Sequence, residues 1–234
     1  MFWCQTFTGR KVDIFHPSPE MVDIEDIAHA LSMTCRFGGH CRDFYSVAEH
    51  SVLVEQIGRH ALHCTFSRIS MLLLLHDAAE AYIGDIITPI KRGFEEILIN
   101  ETRPGGRRQR LFDSPYTGRG KHNVWKHLIT RRMISKSPLI ELENRWLLAI
   151  GQAFGLGEDL LRGSWSGIVK EADSRALANE VMTLFHPVQS SWWEICEQPK
   201  PEQLFIIDCW SPAEARRKFL ERFRVLCTNF VKGD

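Results

Sequence analysis

Hydrophobic residues recur at helical spacing along most of the chain, and this pattern predicts a mainly helical protein. Segment 21–32 places one apolar stripe on a helical face, at Val22, Ile24, Ile27, Ala28 and Leu31. Segment 46–57 repeats the pattern. It opens with Ser46 three residues before Glu49, the spacing of a capping box at a helix N-terminus.

Segment 67–84 is almost entirely apolar at its start, which predicts a central helix that stops at Gly84. Three further helices are predicted, from Pro138 to about residue 154, over 166–185, and from Pro212 onward. The apolar side of the last helix is predicted to carry Phe219, Phe223 and Val225. Only segment 11–15 alternates polar and apolar residues as a β-strand does. These elements predict an all-α fold, a helical bundle formed by a single domain over residues 1–234.

Composition narrows the class of protein. The 234 residues carry no net charge, so nothing global favours nucleic acid or a membrane surface as a partner. The seven cysteines are scattered without a CxxC pair, which indicates reduced thiols and a cytoplasmic location. The longest apolar run, Met71 to Leu75, is far too short to span a membrane.

One stretch differs from the rest of the chain. Residues 103–136 contain ten Lys or Arg and a single acid, Asp113, in a Gly- and Pro-rich context. This composition predicts an insertion in the helical domain. Two interpretations remain open: a solvated surface loop, or a basic lid near an anionic substrate.

Candidate chemistry is concentrated in the apolar segment 67–84 and just after it. His76, Asp77, Glu80 and Asp85 follow four consecutive leucines, and burying such groups is costly unless something pairs with them. In a continuous helix residues 76 and 80 share a face. Imidazole nitrogen and carboxylate oxygen together suit a borderline transition metal.

Two more side chains complete a candidate ligand set. His50 lies on the preceding predicted helix. Asp173 lies on a later helix among Ala172, Ala176 and Ala178, whose small side chains let helices approach closely. The predicted set is therefore His50, His76, Asp77 and Asp173.

The strings SVAEHS, LLLLHDAAEAYIGDIITPIKR and VKEADSRAL together resemble the HD-domain phosphohydrolases. The chain is most similar to bacterial 5′-deoxynucleotidases and phage dATP triphosphohydrolases. The family pattern H…HD…D is present in order, over residues 36–92 and 168–184. The resemblance implies one divalent ion on the four predicted ligands. The residues alone do not choose among Co, Mn, Zn, Fe and Ni.

The resemblance also implies roles for other residues. Glu80 would orient or deprotonate the attacking water, and Asp85 would protonate the leaving oxygen or bind the sugar. Arg36 matches the arginine that contacts the phosphate, and Lys91 is a second cation for it. Phe37 stands where the nucleotidases carry a tryptophan that packs against a 2′-deoxy sugar.

The implied function is hydrolysis of a nucleotide phosphate, with deoxynucleoside monophosphates as the first choice of substrate. The alternative within the same chemistry is a dNTP triphosphohydrolase. The alternative of another class is a non-catalytic nucleotide-sensing protein, which would not need the water-positioning acid Glu80. Self-association into a dimer or a larger homo-oligomer is expected from the resemblance alone.

Overall fold

The computed structural model describes residues 2–64, 66–94, 138–162, 166–186 and 205–232. The fold is all-α, as predicted, with one small hairpin of strands. We label the strands β1 and β2 and the α-helices α1 to α8. Their bounds are β1 Trp3–Gln5, β2 Lys11–Asp13, α1 Ile24–Met33, α2 Val47–Ala61, α3 Ser67–Leu75, α4 Glu80–Ile83, α5 Pro138–Ala153, α6 Asp159–Arg162, α7 Ser166–Leu184 and α8 Pro212–Lys232. Within this described part, no helix combines the length and apolar character needed to cross a membrane.

The chain divides into two compact units. The first contains Met1–Asp85 and Asn144–Asp234, and the second contains Ile86–Glu143. The predicted basic insertion at 103–136 lies outside the described residues, so its two interpretations stay open. The single-domain organisation over 1–234 also stays a prediction.

The hairpin was only half anticipated. Strand β2 falls within the alternating segment 11–15, and it pairs antiparallel with β1 so that Val12 lies opposite Cys4. The pattern did not reveal β1, because three residues are too few to establish an alternation.

Helices α2, α3 and α7 share one hydrophobic cluster, which positions the candidate site. Ala172 and Ala176 of α7 are fully buried in this cluster, as their size suggested. A Cβ at Gly58 of α2 would clash with the Leu73 side chain of α3. The glycine therefore permits the close approach of these two helices.

The start of α2 forms only half of the predicted capping box. The Ser46 hydroxyl accepts the Glu49 amide at 3.1 Å. The buried Glu49 carboxylate accepts instead the backbone amides of Asp208, Cys209 and Trp210, at 3.2, 3.0 and 2.7 Å. A side chain at the N-terminus of α2 thus anchors the segment that leads into α8.

Two details of the helix predictions were wrong. Helix α3 ends at Leu75, and residues 76–79 form a turn with i to i+3 hydrogen bonds before α4 begins at Glu80. On α8, Phe219 and Phe223 are buried as predicted, but Val225 is 48% exposed and Leu226 lies inside. Leu226 continues the helical spacing from Phe219 and Phe223, whereas Val225 falls outside that stripe.

Candidate metal centre

The turn after α3 meets α2 and α7, and there His50, His76 and Asp77 lie together, with Asp173 beside the two histidines. His50 Nε2 lies 3.3 Å from His76 Nε2, 3.4 Å from Asp77 Oδ2 and 3.3 Å from Asp173 Oδ1. His76 Nε2 lies 3.1 Å from Asp77 Oδ2 and 3.9 Å from Asp173 Oδ1. His50, His76 and Asp77 therefore form one compact group, and Asp173 lies beside the two histidines but outside that group.

The separations of 3.1–3.4 Å among His50, His76 and Asp77 match those of atoms that share one ion. Two ligands bound at ~2.1 Å lie roughly 3.0 Å apart at 90° and roughly 3.4 Å apart at the tetrahedral angle. The ligand atoms of His50, His76 and Asp77 all lie within 4.8 Å of one another. This group can hold a metal ion. Among the residues that the structure describes, it is the one group of histidine, cysteine and acidic side chains that is compact enough to hold a metal ion.

Hydrogen bonds behind the two imidazoles orient their metal-facing nitrogens. His50 Nδ1 lies 2.6 Å from Glu180 Oε1, and His76 Nδ1 lies 2.9 Å from the Leu73 carbonyl oxygen. Because both partners are acceptors, each Nδ1 donates its proton. In the neutral rings each Nε2 then presents a lone pair to the centre, the arrangement usual for a metal-binding histidine.

The same bond lies where helix α3 ends. In a continued α-helix the Leu73 carbonyl would accept the Asp77 amide. The His76 ring occupies that carbonyl instead. Across the turn that follows, His76 Nε2 and Asp77 Oδ2 lie 3.1 Å apart.

The electrostatics of the centre favour a cation. Burial lowers the pKa of both imidazoles, but the surrounding carboxylates outweigh it, and both pKa values lie above the usual range. Burial raises the pKa of Asp77, yet the adjacent His76 and His50 hold it well below the usual range. A proton or a metal ion satisfies the same lone pairs, so the two compete for this centre.

Glu180 contacts the candidate centre directly, and sequence reasoning missed it. Its carboxylate is fully buried on α7. One oxygen, Oε1, contacts His50, and the other, Oε2, lies 3.2 Å from Arg36 Nη2. Burial raises its pKa, but Arg36 and His50 lower it to about 2. Glu180 follows Asp173 by seven residues, two helical turns, so the repeat of an acid on one face was the available signal.

Arg36 lies behind the ligands, in the 3₁₀ turn Arg36–Gly39. Its side chain is 12% exposed, and Nη1 lies 3.5 Å from Asp77 Oδ2 while Nη2 contacts Glu180. The guanidinium thus links a ligand carboxylate to the carboxylate that orients His50. Its predicted contact with a phosphate stays a prediction.

The remaining predicted residues lie in different surroundings. Glu80 is buried at the first position of α4, and its amide donates to the Asp77 carbonyl at 2.9 Å. Asp85 is half-buried and follows Gly84, whose φ of 80° and ψ of 160° suit glycine alone.

Phe37, at φ 58°, packs edge-on against Phe185. Lys91 lies in the second unit, where it pairs with Glu143 at 3.4 Å.

Comparisons with known proteins give relatives but no activity. No protein-family model matches the chain. A Rhodobacter capsulatus protein, RCAP_rcc00048, is 42% identical over 101 residues, which cover 41% of this chain and 52% of the relative. YfdR of Escherichia coli K12 is 39% identical over 92 residues, which cover 39% of this chain and 48% of the relative. The matches span about half the length of each relative, and both relatives are described as uncharacterized proteins.

Proposed function

We propose that this protein is a metal-dependent phosphohydrolase of the HD-domain type that acts on a nucleotide. One observation carries the proposal: His50, His76 and Asp77 form a compact group that can hold a metal ion, and Asp173 Oδ1 lies 3.3 and 3.9 Å from the two histidine nitrogens. A two-His, two-Asp set leaves coordination positions open for water and substrate, unlike a closed Cys-rich structural site.

The order of the ligands along the chain supports the same proposal. They follow the H…HD…D pattern of the resemblance described above. The fourth ligand, Asp173, has a side chain that is 45% exposed, whereas His50 on the opposite side is fully buried. The centre is thus accessible from the Asp173 side, where a substrate phosphate can enter.

The chain's own residues supply the remaining chemistry. A divalent ion on these ligands would polarise a phosphate oxygen and lower the pKa of a water molecule. Glu80 orients that water and takes its proton as it attacks phosphorus. Asp85 donates a proton to the leaving 5′-oxygen. Arg36 and Glu180 keep the Asp77 carboxylate and the His50 imidazole in their binding orientations.

The proposed substrate is a deoxynucleoside 5′-monophosphate. This choice follows from the resemblance to the deoxynucleotidases, in which an aromatic residue packs against the sugar. Phe37 is the aromatic residue at that position, next to Arg36 and held at one side by Phe185. The mode of attack is the same for a dNTP, so a panel of mono- and triphosphates decides between these substrates.

The test is a hydrolysis assay on protein freed of metal and reloaded with Mn²⁺, Co²⁺ or Zn²⁺. Free phosphate and free triphosphate are measured over a panel of ribo- and deoxynucleotides. We expect phosphate release from dNMPs, loss of activity in chelator, and at least a ~100-fold fall for Asp77→Asn. Asp43→Asn, an exposed aspartate of the same unit, is the matched control. Full activity in metal-free protein, or hydrolysis of no nucleotide with any metal, would refute the proposal.

A further inference from the structure

A cavity of about 190 Å³ opens beside the metal centre. His76 and Asp173 form part of its wall. The rest of the wall combines apolar and polar side chains, namely Leu72, Leu160, Val169, Asp159, Ser166 and Lys170. At ~30 Å³ per molecule this space holds roughly six waters, which suits a phosphate group and the first atoms of its ester. A group bound in the cavity would touch two of the candidate ligands.

Lys170 is the basic residue of this wall. It precedes Asp173 by three residues on α7, so the two side chains share one face of the helix. The Lys170 side chain is exposed, and its ammonium forms no ion pair within the described part of the chain. Of the two acids in the wall, Asp173 is a candidate metal ligand and Asp159 pairs with Arg68 at 2.6 Å. The cavity therefore offers one uncommitted positive charge.

The other cation near the centre is placed differently. Arg36 is 12% exposed and contacts two carboxylates, Asp77 and Glu180. A dianionic phosphate beside Asp173 needs a neutralising cation that it can reach from the open side. Lys170 meets that requirement in the cavity wall.

We infer that this cavity is the phosphate pocket and that the Lys170 ammonium binds the substrate's phosphate there. Leu72, Leu160 and Val169 contact the ester carbon next to the phosphate, and Ser166 supplies a hydroxyl donor at the rim. The inference rests on the proposed function, because it names the group that holds the substrate at the same centre. The ligand class is a phosphate monoester, with inorganic phosphate as its simplest probe.

The test compares Lys170→Gln, Lys170→Arg and wild type in two measurements. The first is the Kd of inorganic phosphate for the metal-loaded protein by calorimetry, with metal content measured on each sample. The second is the KM and kcat of nucleotide hydrolysis. Lys218→Gln on α8, where the lysine pairs with Glu214, is the charge-matched control.

We expect Lys170→Gln to raise the phosphate Kd and the KM by about 10-fold while kcat and metal content change little. Lys170→Arg should recover part of the loss, and the difference should shrink as salt rises. Lys218→Gln should match wild type.

The outcomes separate this inference from the proposed function. If wild type hydrolyses nucleotides but Lys170→Gln has an unchanged phosphate Kd and KM, the pocket assignment is wrong and the function stands. If no nucleotide is hydrolysed but Lys170→Gln still weakens phosphate binding, the proposed function fails and the anion pocket stands. If metal-loaded wild type binds no phosphate, the pocket assignment is wrong whatever the activity.

Discussion

The buried carboxylate of Glu180 offers the sharpest test of how this centre is built. Glu180→Gln keeps the shape of the side chain but removes its charge. The Gln amide can present an N–H to His50 Nδ1, and the ring would then adopt the tautomer that carries its proton on Nε2. A protonated Nε2 has no lone pair for a metal. We therefore expect weaker metal binding although no ligand has been replaced.

The magnitude follows from the contacts of Glu180. Disturbing a group that orients a metal-bound histidine typically costs ~10–100-fold in metal affinity, or about 1.4–2.7 kcal/mol. The variant should also lose stability. The pKa of Glu180 is about 2 against the ordinary 4.5, which corresponds to roughly 3 kcal/mol. This contribution is present above pH 4.5 and is lost as the pH falls toward 2, because the folded state holds the charged form.

The assay is competition for Co²⁺ or Zn²⁺ against a chelator of known affinity, between pH 6 and 8, with thermal melts of the metal-free protein. Removing the charge of Glu180 should also lower the pKa of His50, so the pH dependence of metal binding should shift toward lower pH. A loss of packing alone would not cause that shift. Glu171→Gln, an exposed glutamate of the same helix that pairs with Arg175, is the control. A folded Glu180→Gln protein with wild-type metal affinity and pH profile would refute the orienting role.

Three further predictions concern the reaction, the protons and the packing. Glu80→Gln should retain metal by elemental analysis and lose ~10²–10⁴-fold in turnover, and loss of metal would instead make Glu80 a ligand. In competition assays, the apparent metal Kd should rise at least ~10-fold for each pH unit below pH 6.5. The reason is that the metal must displace protons from His50 or His76, whose pKa values lie above the usual range. A metal Kd that does not change with pH would contradict this. Gly58→Ala should lower the free energy of unfolding in urea by roughly 1–2 kcal/mol, because the clash of its methyl group with the buried Leu73 side chain outweighs the ~1 kcal/mol that alanine gains over glycine in a helix. An unchanged or higher value would show that the Leu73 side chain can move aside at little cost.

The helices and the identity of the converging side chains follow from sequence for local reasons. Apolar spacing, caps and breakers act over a few residues, so they predicted α2, α5 and α7 from pattern alone. The four ligand types were recognisable because histidine and aspartate among leucines and alanines demand a partner. The structure groups His50, His76 and Asp77 and places Asp173 beside the two histidines.

Only the tertiary structure decided what surrounds the ligands. Arg36 and Glu180 are 144 residues apart, and their ion pair depends on the approach of the Arg36 turn to α7. The Glu49 carboxylate has two competing partners, its own helix terminus and a distant backbone segment, and the latter prevails. The local sequence pattern predicts only the contact with the helix terminus. It carries no information about the distant backbone segment, because that contact exists only after the chain has closed a long loop.

The break in the helix at His76 has the same origin. The run of leucines predicts a continuous helix, and it does form one as far as Leu75. Beyond that point the His76 ring lies within hydrogen-bonding distance of the Leu73 carbonyl, while its other nitrogen faces the side chains from α2 and α7. The sequence by itself determined which residues could bind a metal, and the packing of three separate segments decided how they face one another.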